Sequence, residues 1–208
     1  MLLNNNDIVL FQGDSITDAG RIYEDGNDLG RGYPLLIGSM FAAMYKDMDV
    51  RFRNRSISGN RTRDLRARWA DDCIALKPTV VSILIGINDC WRRYDRNDPT
   101  PIEEFEDNYR NILERTRDEL GARIILCEPF VLPTPPDRKM WREDLDPKIH
   151  VVRQLADEFD ALLIPLDGIF AQAATYRRAE VWAPDGVHPT PAGHGLIAKS
   201  WLEAVKAL

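Results

Sequence analysis

Short segments that are almost entirely apolar alternate along the chain with longer segments in which apolar residues recur every three or four positions. The short segments predict β-strands at 7–11, 50–54, 79–86, 122–129 and 161–166. The longer segments predict amphipathic helices at 33–46, 62–76, 101–119, 147–159 and 191–206. Pro191 suits the first turn of the last helix, where a backbone N–H would have no partner within the helix.

The alternation of strands and helices predicts an α/β fold in three layers, with helices on both faces of a central parallel sheet of about five strands. The segments 79–86 and 122–129 are nearly all apolar, which is typical of parallel strands covered on both sides. The length of 208 residues predicts that residues 1–208 form a single domain. Residues 128–141 contain four prolines, so we expect an active-site loop or an ordered surface excursion there.

Composition and charge narrow the classes of partner. Hydrophobic residues make up 44% of the chain and charged residues 29%, as in ordinary globular proteins. The net charge of −6 repels polyanions, so general nucleic-acid binding is disfavoured.

The N-terminus has no signal-peptide pattern and no apolar run has the length of a membrane span. We therefore expect a cytoplasmic protein without a membrane partner, unless a signal peptide was removed beforehand.

The three cysteines, Cys73, Cys90 and Cys127, are widely spaced and include no C-x-x-C pair. Neither a zinc ribbon nor a disulfide framework is therefore predicted. We expect free thiols that serve as small buried apolar residues, which fits a reducing compartment.

Chemically versatile residues follow the predicted strands, at the edge of a parallel sheet where ligands bind. The first strand leads into Gly13-Asp14-Ser15, the second into SISGN (56–60) and the third into GIND (86–89). A segment rich in proline and glycine, APDGVHPTPAGH (183–194), precedes the last helix. We expect these four segments to meet in one site.

A serine nucleophile needs a base, a group that orients the base, and donors for the oxyanion. Asp185 and His188, three residues apart in a turn, could supply the oriented base. Ser15, at the start of a helix, could be the nucleophile and could donate its own backbone N–H to the oxyanion. Gly59 could bring a backbone N–H close to the substrate, and Asn88 offers an uncharged amide.

Each of these residues also has an ordinary structural interpretation. Asp185 or Ser15 could cap a helix, Gly59 could form a tight turn, and Asn88 could form an Asx turn. Their joint occurrence at strand ends, in this order, favours the catalytic interpretation.

The segments GDSITD (13–18), SISGN, GIND and DGVHPT (185–190) resemble the four sequence blocks of the SGNH, or GDSL, hydrolases. The resemblance implies a flavodoxin-like three-layer α/β/α fold and hydrolysis of small esters or thioesters through an acyl-enzyme, without metal or organic cofactor. It implies that Ser15, His188 and Asp185 form the catalytic triad. It also implies that the oxyanion hole consists of Ser15, Gly59 and Asn88. No chemical position departs from the family pattern.

Longer stretches, at 57–69, 82–95 and 186–194, are similar to bacterial acetylxylan esterases of the GDSL type, which deacetylate xylan fragments or xylosides. This resemblance implies that the substrate is a small acetyl ester of a xylan-derived or other carbohydrate. Relatives of this type often assemble into homo-oligomers, so self-association is a further hypothesis. A thioesterase or lysophospholipase of the same family remains the alternative, because the sequence does not show the volume of the acyl pocket.

Several residues near the expected site are candidates for substrate binding, namely Trp91, Arg21, Trp182 and Pro184. Trp91 follows Asn88 by three residues, and its ring could pack against a sugar, although a position in the core would suit it equally well. Asp14 is expected to be structural and to hold the serine loop through backbone amides.

Three rival interpretations remain open. His188 and His194, together with Asp185, could bind zinc, although the chain has no H-x-x-x-H pair and His150 belongs to a predicted helix surface. Residues 51–69 carry seven arginines and one acidic residue, which could bind nucleic acid but also suit a solvated surface. A carbohydrate-binding pseudoenzyme is the third alternative, and the complete catalytic set disfavours it.

Overall fold

A parallel five-stranded sheet lies at the centre of the protein, in a computed structural model that describes residues 2–208. The strands are β1 (Ile8–Gly13), β2 (Arg51–Asn54), β3 (Val80–Leu84), β4 (Arg123–Cys127) and β5 (Leu162–Ile164). They are arranged in the order β2-β1-β3-β4-β5, and every neighbouring pair is parallel. Because Gly13 pairs with Leu84 and Phe11 with Asn54, the ends of β1, β2 and β3 come together at one edge.

Helices cover both faces of this sheet. They are α1 (Ser15–Asp18), α2 (Tyr33–Met44), α3 (Thr62–Asp72), α4 (Ile87–Arg96), α5 (Ile102–Arg115), α6 (Arg142–Glu158), α7 (Leu166–Tyr176) and α8 (Pro191–Ala204). One hydrophobic cluster joins the sheet to α2, α7 and α8, and a second joins it to α3 and α5, while α6 contributes to both. The three-layer α/β/α arrangement expected from the sequence is therefore present.

Three helical segments differ from the sequence-based expectation. The helices α4 and α7 were not predicted, and α6 begins at Arg142 rather than at Pro147. Pro147 lies in the second turn of α6 on the exposed side, where it removes only one hydrogen bond of the helix. His150 is exposed on the same helix, as expected.

The proline-rich segment 128–141 is buried over 128–132 and at Trp141, whereas 133–140 is mostly exposed. Phe130, Val131 and Leu132 are buried, and the Leu132 N–H donates a 2.8 Å hydrogen bond to the carbonyl of Gly186. A 3₁₀ turn, Pro136–Trp141, then leads into α6. The buried part of the segment therefore supports the loop that carries Asp185. Residues 133–140 form a surface excursion, which agrees with one of the two expectations for this segment.

The expectations for free cysteines and for membrane-spanning segments can also be compared with the structure. Cys73, Cys90 and Cys127 are all buried as free thiols, as the sequence predicted. Across residues 2–208, every helix is too short or too polar to pass through a lipid bilayer.

Candidate active site

Ser15 lies at the sharp turn between β1 and α1. Gly13 ends the strand so close to β3 that a Cβ atom at this position would lie 2.3 Å from the Leu84 carbonyl oxygen. Asp14 caps α1, because its Oδ1 accepts a 3.0 Å hydrogen bond from the Ile16 N–H. The structural role expected for Asp14 agrees with this contact. The turn places Ser15 at the carboxyl edge of the sheet.

A chain of hydrogen bonds connects Ser15, His188 and Asp185. Ser15 Oγ lies 2.9 Å from His188 Nε2, and His188 Nδ1 lies 2.6 Å from Asp185 Oδ2. A carboxylate only accepts hydrogen bonds, so His188 carries a proton on Nδ1, and in the neutral ring Nε2 is free to accept from the serine hydroxyl. This is the tautomer that a general base requires.

The loop that carries Asp185 and His188 is held from two sides. Asp185 Oδ1 accepts hydrogen bonds from the backbone N–H groups of Val187 (3.0 Å) and His188 (2.7 Å). Gly186 adopts a φ of +84°, and a Cβ atom there would lie 2.4 Å from the Thr134 carbonyl oxygen. The geometry of the triad thus depends on contacts with the proline-rich segment as well as on local hydrogen bonds.

The electrostatics of the pair favour a charged aspartate beside a more basic histidine. Burial alone would raise the pKa of Asp185, but hydrogen bonds from the side chain and backbone of His188 and from Val187 lower it to about 2. The hydrogen bond to Asp185 raises the pKa of His188 above its ordinary value of 6.5, against the opposing effect of burial. His188 is therefore a stronger base than a free imidazole.

The expected oxyanion donors belong to segments that contact one another. Asn88 is buried at the start of α4, and its Nδ2 donates a 3.1 Å hydrogen bond to the carbonyl of Asn60, next to Gly59. The Ile57 N–H donates to the Gly13 carbonyl at 3.3 Å, which ties the Gly59 loop to the Ser15 turn. Among the backbone hydrogen bonds of loops, turns and caps in residues 2–208, none uses the N–H of Ser15 or of Gly59. These donors remain available to a ligand.

Two buried aspartates adjoin the site residues, Asp14 next to Ser15 and Asp89 next to Asn88. Burial raises the pKa of Asp14 to about 7, and its Oδ2 has no hydrogen-bond partner within the described part of the chain. Burial also raises the pKa of Asp89 to about 6, although Asp89 accepts hydrogen bonds from the N–H and hydroxyl of Thr62. Both carboxyl groups therefore titrate closer to neutral pH than exposed aspartates do.

Trp91 is the substrate-binding candidate that the fold brings next to the triad. Its ring centroid lies 5.7 Å from that of His188 and 5.2 Å from that of Trp141. Arg138 covers Trp141 at 4.1 Å, and its Nε donates a 3.1 Å hydrogen bond to the Asp185 carbonyl. Trp141 and Arg138 were not among the residues expected at the site from the sequence. Their only signal was their position in the segment flagged as an active-site loop.

Two other substrate-binding candidates, Arg21 and Pro184, differ from each other in exposure. Arg21 is buried and donates from Nε to the Ser56 carbonyl at 2.7 Å, while its guanidinium lies 4.3 Å from the Tyr23 ring centroid. Pro184 is exposed directly before Asp185.

Trp182 turns toward α7, where its indole N–H donates to the Ala173 carbonyl at 3.1 Å. Its ring lines an open depression with Ile169, Tyr176 and Leu196. None of the triad residues lines that depression, so the observed contacts do not connect Trp182 with the triad.

The two histidines proposed for a zinc site have separate partners. Both ring nitrogens of His188 are engaged within the triad, whereas His194 Nδ1 accepts a 3.2 Å hydrogen bond from the Tyr33 N–H. Burial lowers the pKa of His194 to about 4. In the part of the chain that the structure describes, no three His, Cys, Asp or Glu side chains are grouped as metal ligands.

Four of the seven arginines in 51–69 form ion pairs with nearby acids. The pairs are Arg61–Asp98 (2.6 Å), Arg63–Asp98 (3.5 Å), Arg66–Asp107 (2.5 Å) and Arg68–Asp72 (3.0 Å). This pairing reduces the positive charge available to a polyanion, and it favours the interpretation as a solvated surface.

A five-stranded parallel sheet with a serine, a histidine and an aspartate hydrogen-bonded in series at its carboxyl edge defines a serine hydrolase. Residues 11–196 match the GDSL-like Lipase/Acylhydrolase family. The acetylxylan esterase of Geobacillus stearothermophilus is 37% identical over 215 aligned residues, which cover 99% of this chain and 96% of that enzyme. The chain belongs to the GDSL-like lipase/acylhydrolase family, as its sequence predicted, and it is an ester hydrolase.

Solved structures agree with this assignment. A structure described as a GDSL-like lipase, from Parabacteroides merdae, superposes with a TM-score of 0.94 at 34% identity, covering 99% of this chain and 98% of that one. Axe2, an acetylxylan esterase from Geobacillus stearothermophilus, gives a TM-score of 0.89 at 35% identity, covering 99% and 96%. Catalytic mutants of Axe2 replace a serine, an aspartate and a histidine with alanine. The predicted α/β/α fold is therefore confirmed.

Proposed function

We propose that this esterase removes acetyl groups from small carbohydrate esters, foremost those derived from xylan, by a serine mechanism with an acyl-enzyme intermediate. The observation that carries the mechanism is the hydrogen-bond chain from Ser15 Oγ through His188 to Asp185, with contacts of 2.9 Å and 2.6 Å.

In this mechanism the proton of Ser15 passes to His188 Nε2 as Oγ attacks the acyl carbonyl, and Asp185 stabilises the resulting imidazolium. The oxyanion accepts hydrogen bonds from the N–H groups of Ser15 and Gly59 and from the Asn88 amide. His188 next protonates the leaving alcohol. A water molecule, activated by the same histidine, then hydrolyses the acyl-enzyme and regenerates the serine.

Two features of the site favour a polar alcohol such as a sugar. The side chains of His188 and Asp185 are 45% and 40% exposed, so a hydrated sugar can approach the triad from solvent. Trp91, proposed to line the site, offers an aromatic face of the kind on which sugar rings pack. The acetylxylan esterase activity of the Geobacillus relative points to the same substrate class.

A panel of esters tests the proposal. The purified protein is assayed with p-nitrophenyl acetate, butyrate and octanoate, with acetylated xylose and xylo-oligosaccharides, and with a short acyl thioester. We expect the acetates to give the highest kcat/KM, with acetylated sugars as good substrates. A rate that increases with acyl length would instead indicate a lysophospholipase-type enzyme, and a preference for the thioester would indicate a thioesterase.

Matched variants separate catalysis from binding. Ser15→Ala should abolish turnover, whereas Ser39→Ala, on the exposed side of α2, should not. A protein that binds acetylated sugars but leaves every ester intact would be the carbohydrate-binding pseudoenzyme.

We further propose that residues 1–208 form one domain, that the enzyme is cytoplasmic, and that it needs no nucleic-acid or membrane partner. Both hydrophobic clusters pack on the same sheet, which supports a single unfolding transition. The buried free thiols support a reducing compartment. Self-association is tested by light scattering of the purified protein.

A further inference from the structure

The side-chain amide of Asn88 is held at both ends. Its Nδ2 donates to the Asn60 carbonyl at 3.1 Å, and its Oδ1 accepts a 3.1 Å hydrogen bond from Arg92 Nη2. An amide rotated by 180° would place its oxygen against the Asn60 carbonyl and its NH₂ against the guanidinium, so both contacts would become repulsive. The two partners therefore select the orientation in which the second N–H of Nδ2 stays free for a ligand.

Arg92 is itself fixed in place. It lies one turn after Asn88 on α4, at the spacing that brings two side chains together on a helix surface. Its Nη1 pairs with Asp95, its guanidinium lies 5.4 Å from the Trp91 ring centroid, and its side chain is only 15% exposed. A guanidinium already held by Asp95 and Trp91 loses little further entropy when it orients the amide.

We propose that Arg92 is a positioning residue that orients and polarises the Asn88 amide as an oxyanion donor. The inference rests on the proposed function, in which Asn88 is one of three donors. A cation that donates to the amide oxygen draws electron density from the nitrogen, so the remaining N–H becomes a stronger donor. Because negative charge on the oxygen develops only in the transition state, this effect acts on kcat rather than on substrate binding.

The test is a double-mutant cycle with p-nitrophenyl acetate, in which kcat and KM are measured for Asn88→Ala, Arg92→Gln and the double variant. We expect Asn88→Ala to lower kcat by about 10²–10³-fold, as for loss of a whole donor. Arg92→Gln should lower kcat by about tenfold with KM nearly unchanged, since the donor is weakened but not removed. In the Asn88→Ala background, Arg92→Gln should have no further effect on kcat.

Two more variants sharpen the result. Arg92→Lys keeps the charge but not the planar donor geometry, so it should fall between the wild type and Arg92→Gln, and it replaces Arg92→Gln if that variant does not fold. Arg96→Gln, an exposed arginine on the same helix, should match the wild type.

The outcomes distinguish this inference from the proposed function. If Arg92→Gln lowers kcat equally with and without Asn88, or does not lower it, Arg92 does not act through the amide and the inference is overturned alone. A change in KM without a change in kcat would assign Arg92 to substrate contact through Trp91, with the same consequence. If Asn88→Ala itself keeps full activity, the proposed oxyanion hole fails and the inference fails with it.

Discussion

Replacing Asp185 with asparagine removes one charge from the triad and leaves its size unchanged. Asp185 Oδ2 accepts from His188 Nδ1 at 2.6 Å, while Oδ1 accepts two backbone N–H groups. An asparagine can keep the backbone contacts through its oxygen, but it then turns its NH₂ toward Nδ1. This favours the tautomer with the proton on Nε2, which cannot accept a proton from Ser15.

The magnitude follows from the interactions of the carboxylate. The pKa of Asp185 falls from 3.8 to about 2, and at about 1.4 kcal/mol per pKa unit this is roughly 2.5 kcal/mol before solvent screening. The side chain is 40% exposed, so screening reduces the stabilisation to about 1–2 kcal/mol. Loss of the charge and the wrong tautomer together should lower kcat by about 10²–10⁴-fold.

The pH dependence gives a second, independent readout. His188 must be neutral to act as the base, so activity rises as the pH passes through the pKa of His188, which the Asp185 hydrogen bond holds above 6.5. Without that hydrogen bond the pKa falls, and the acid limb of kcat/KM in Asp185→Asn should move to lower pH.

The assay measures p-nitrophenyl acetate hydrolysis between pH 5 and pH 9, with Asp118→Asn as a control because Asp118 is an exposed aspartate paired with Arg117. A wild-type kcat in Asp185→Asn, or an acid limb at the wild-type pH, would refute the proposed role of Asp185.

Two further predictions concern stability. Gly186→Ala should lower the free energy of unfolding by more than about 2 kcal/mol, because its Cβ would lie 2.4 Å from the Thr134 carbonyl oxygen at a φ of +84°. The control is Gly168→Ala on the exposed side of α7, whose Cβ meets no atom within 4 Å and which should melt at or slightly above the wild-type temperature. A melting temperature of Gly186→Ala equal to that of the wild type would contradict the close packing. Asp14→Asn should raise the melting temperature relative to the wild type more at pH 8 than at pH 5. Burial raises the pKa of Asp14 from 3.8 to about 7, so the wild-type native state loses stability as the pH rises through this interval. A difference in melting temperature that is constant with pH would show that the charge of Asp14 does not destabilise the native state.

Much of the fold was accessible from the sequence because buried parallel strands are short and almost uniformly apolar. All five predicted strands are present, with ends that differ by a few residues from the observed ones. The helix α4 was missed because residues 87–96 carry several charges and only a short apolar stripe, and they follow β3 without a clear N-cap side chain. The helix α7 was missed although Leu166, Phe170 and Ala173 recur at helical spacing, because alanines on both sides of 166–176 weaken the contrast between its apolar and polar faces.

The site was predictable to the extent that strand ends meet at one edge of a parallel sheet. That rule places Ser15, Gly59 and Asn88 near one another, but it does not indicate which side chains support them. The contact between Arg138 and the Asp185 carbonyl joins residues that are 47 positions apart, and no local sequence pattern predicts it. The turn of Trp182 toward α7 likewise depends on tertiary packing, which neighbouring residues in the sequence do not determine.

The central claim is that Ser15 is the nucleophile, and covalent labelling tests it most directly. The protein is inactivated with diethyl p-nitrophenyl phosphate, digested, and analysed by mass spectrometry alongside the His188→Ala variant. We expect one diethylphosphoryl group on the peptide that contains Ser15, in proportion to lost activity, and much slower labelling without His188. Complete inactivation with Ser15 unmodified, or with the label on another residue, would contradict the account.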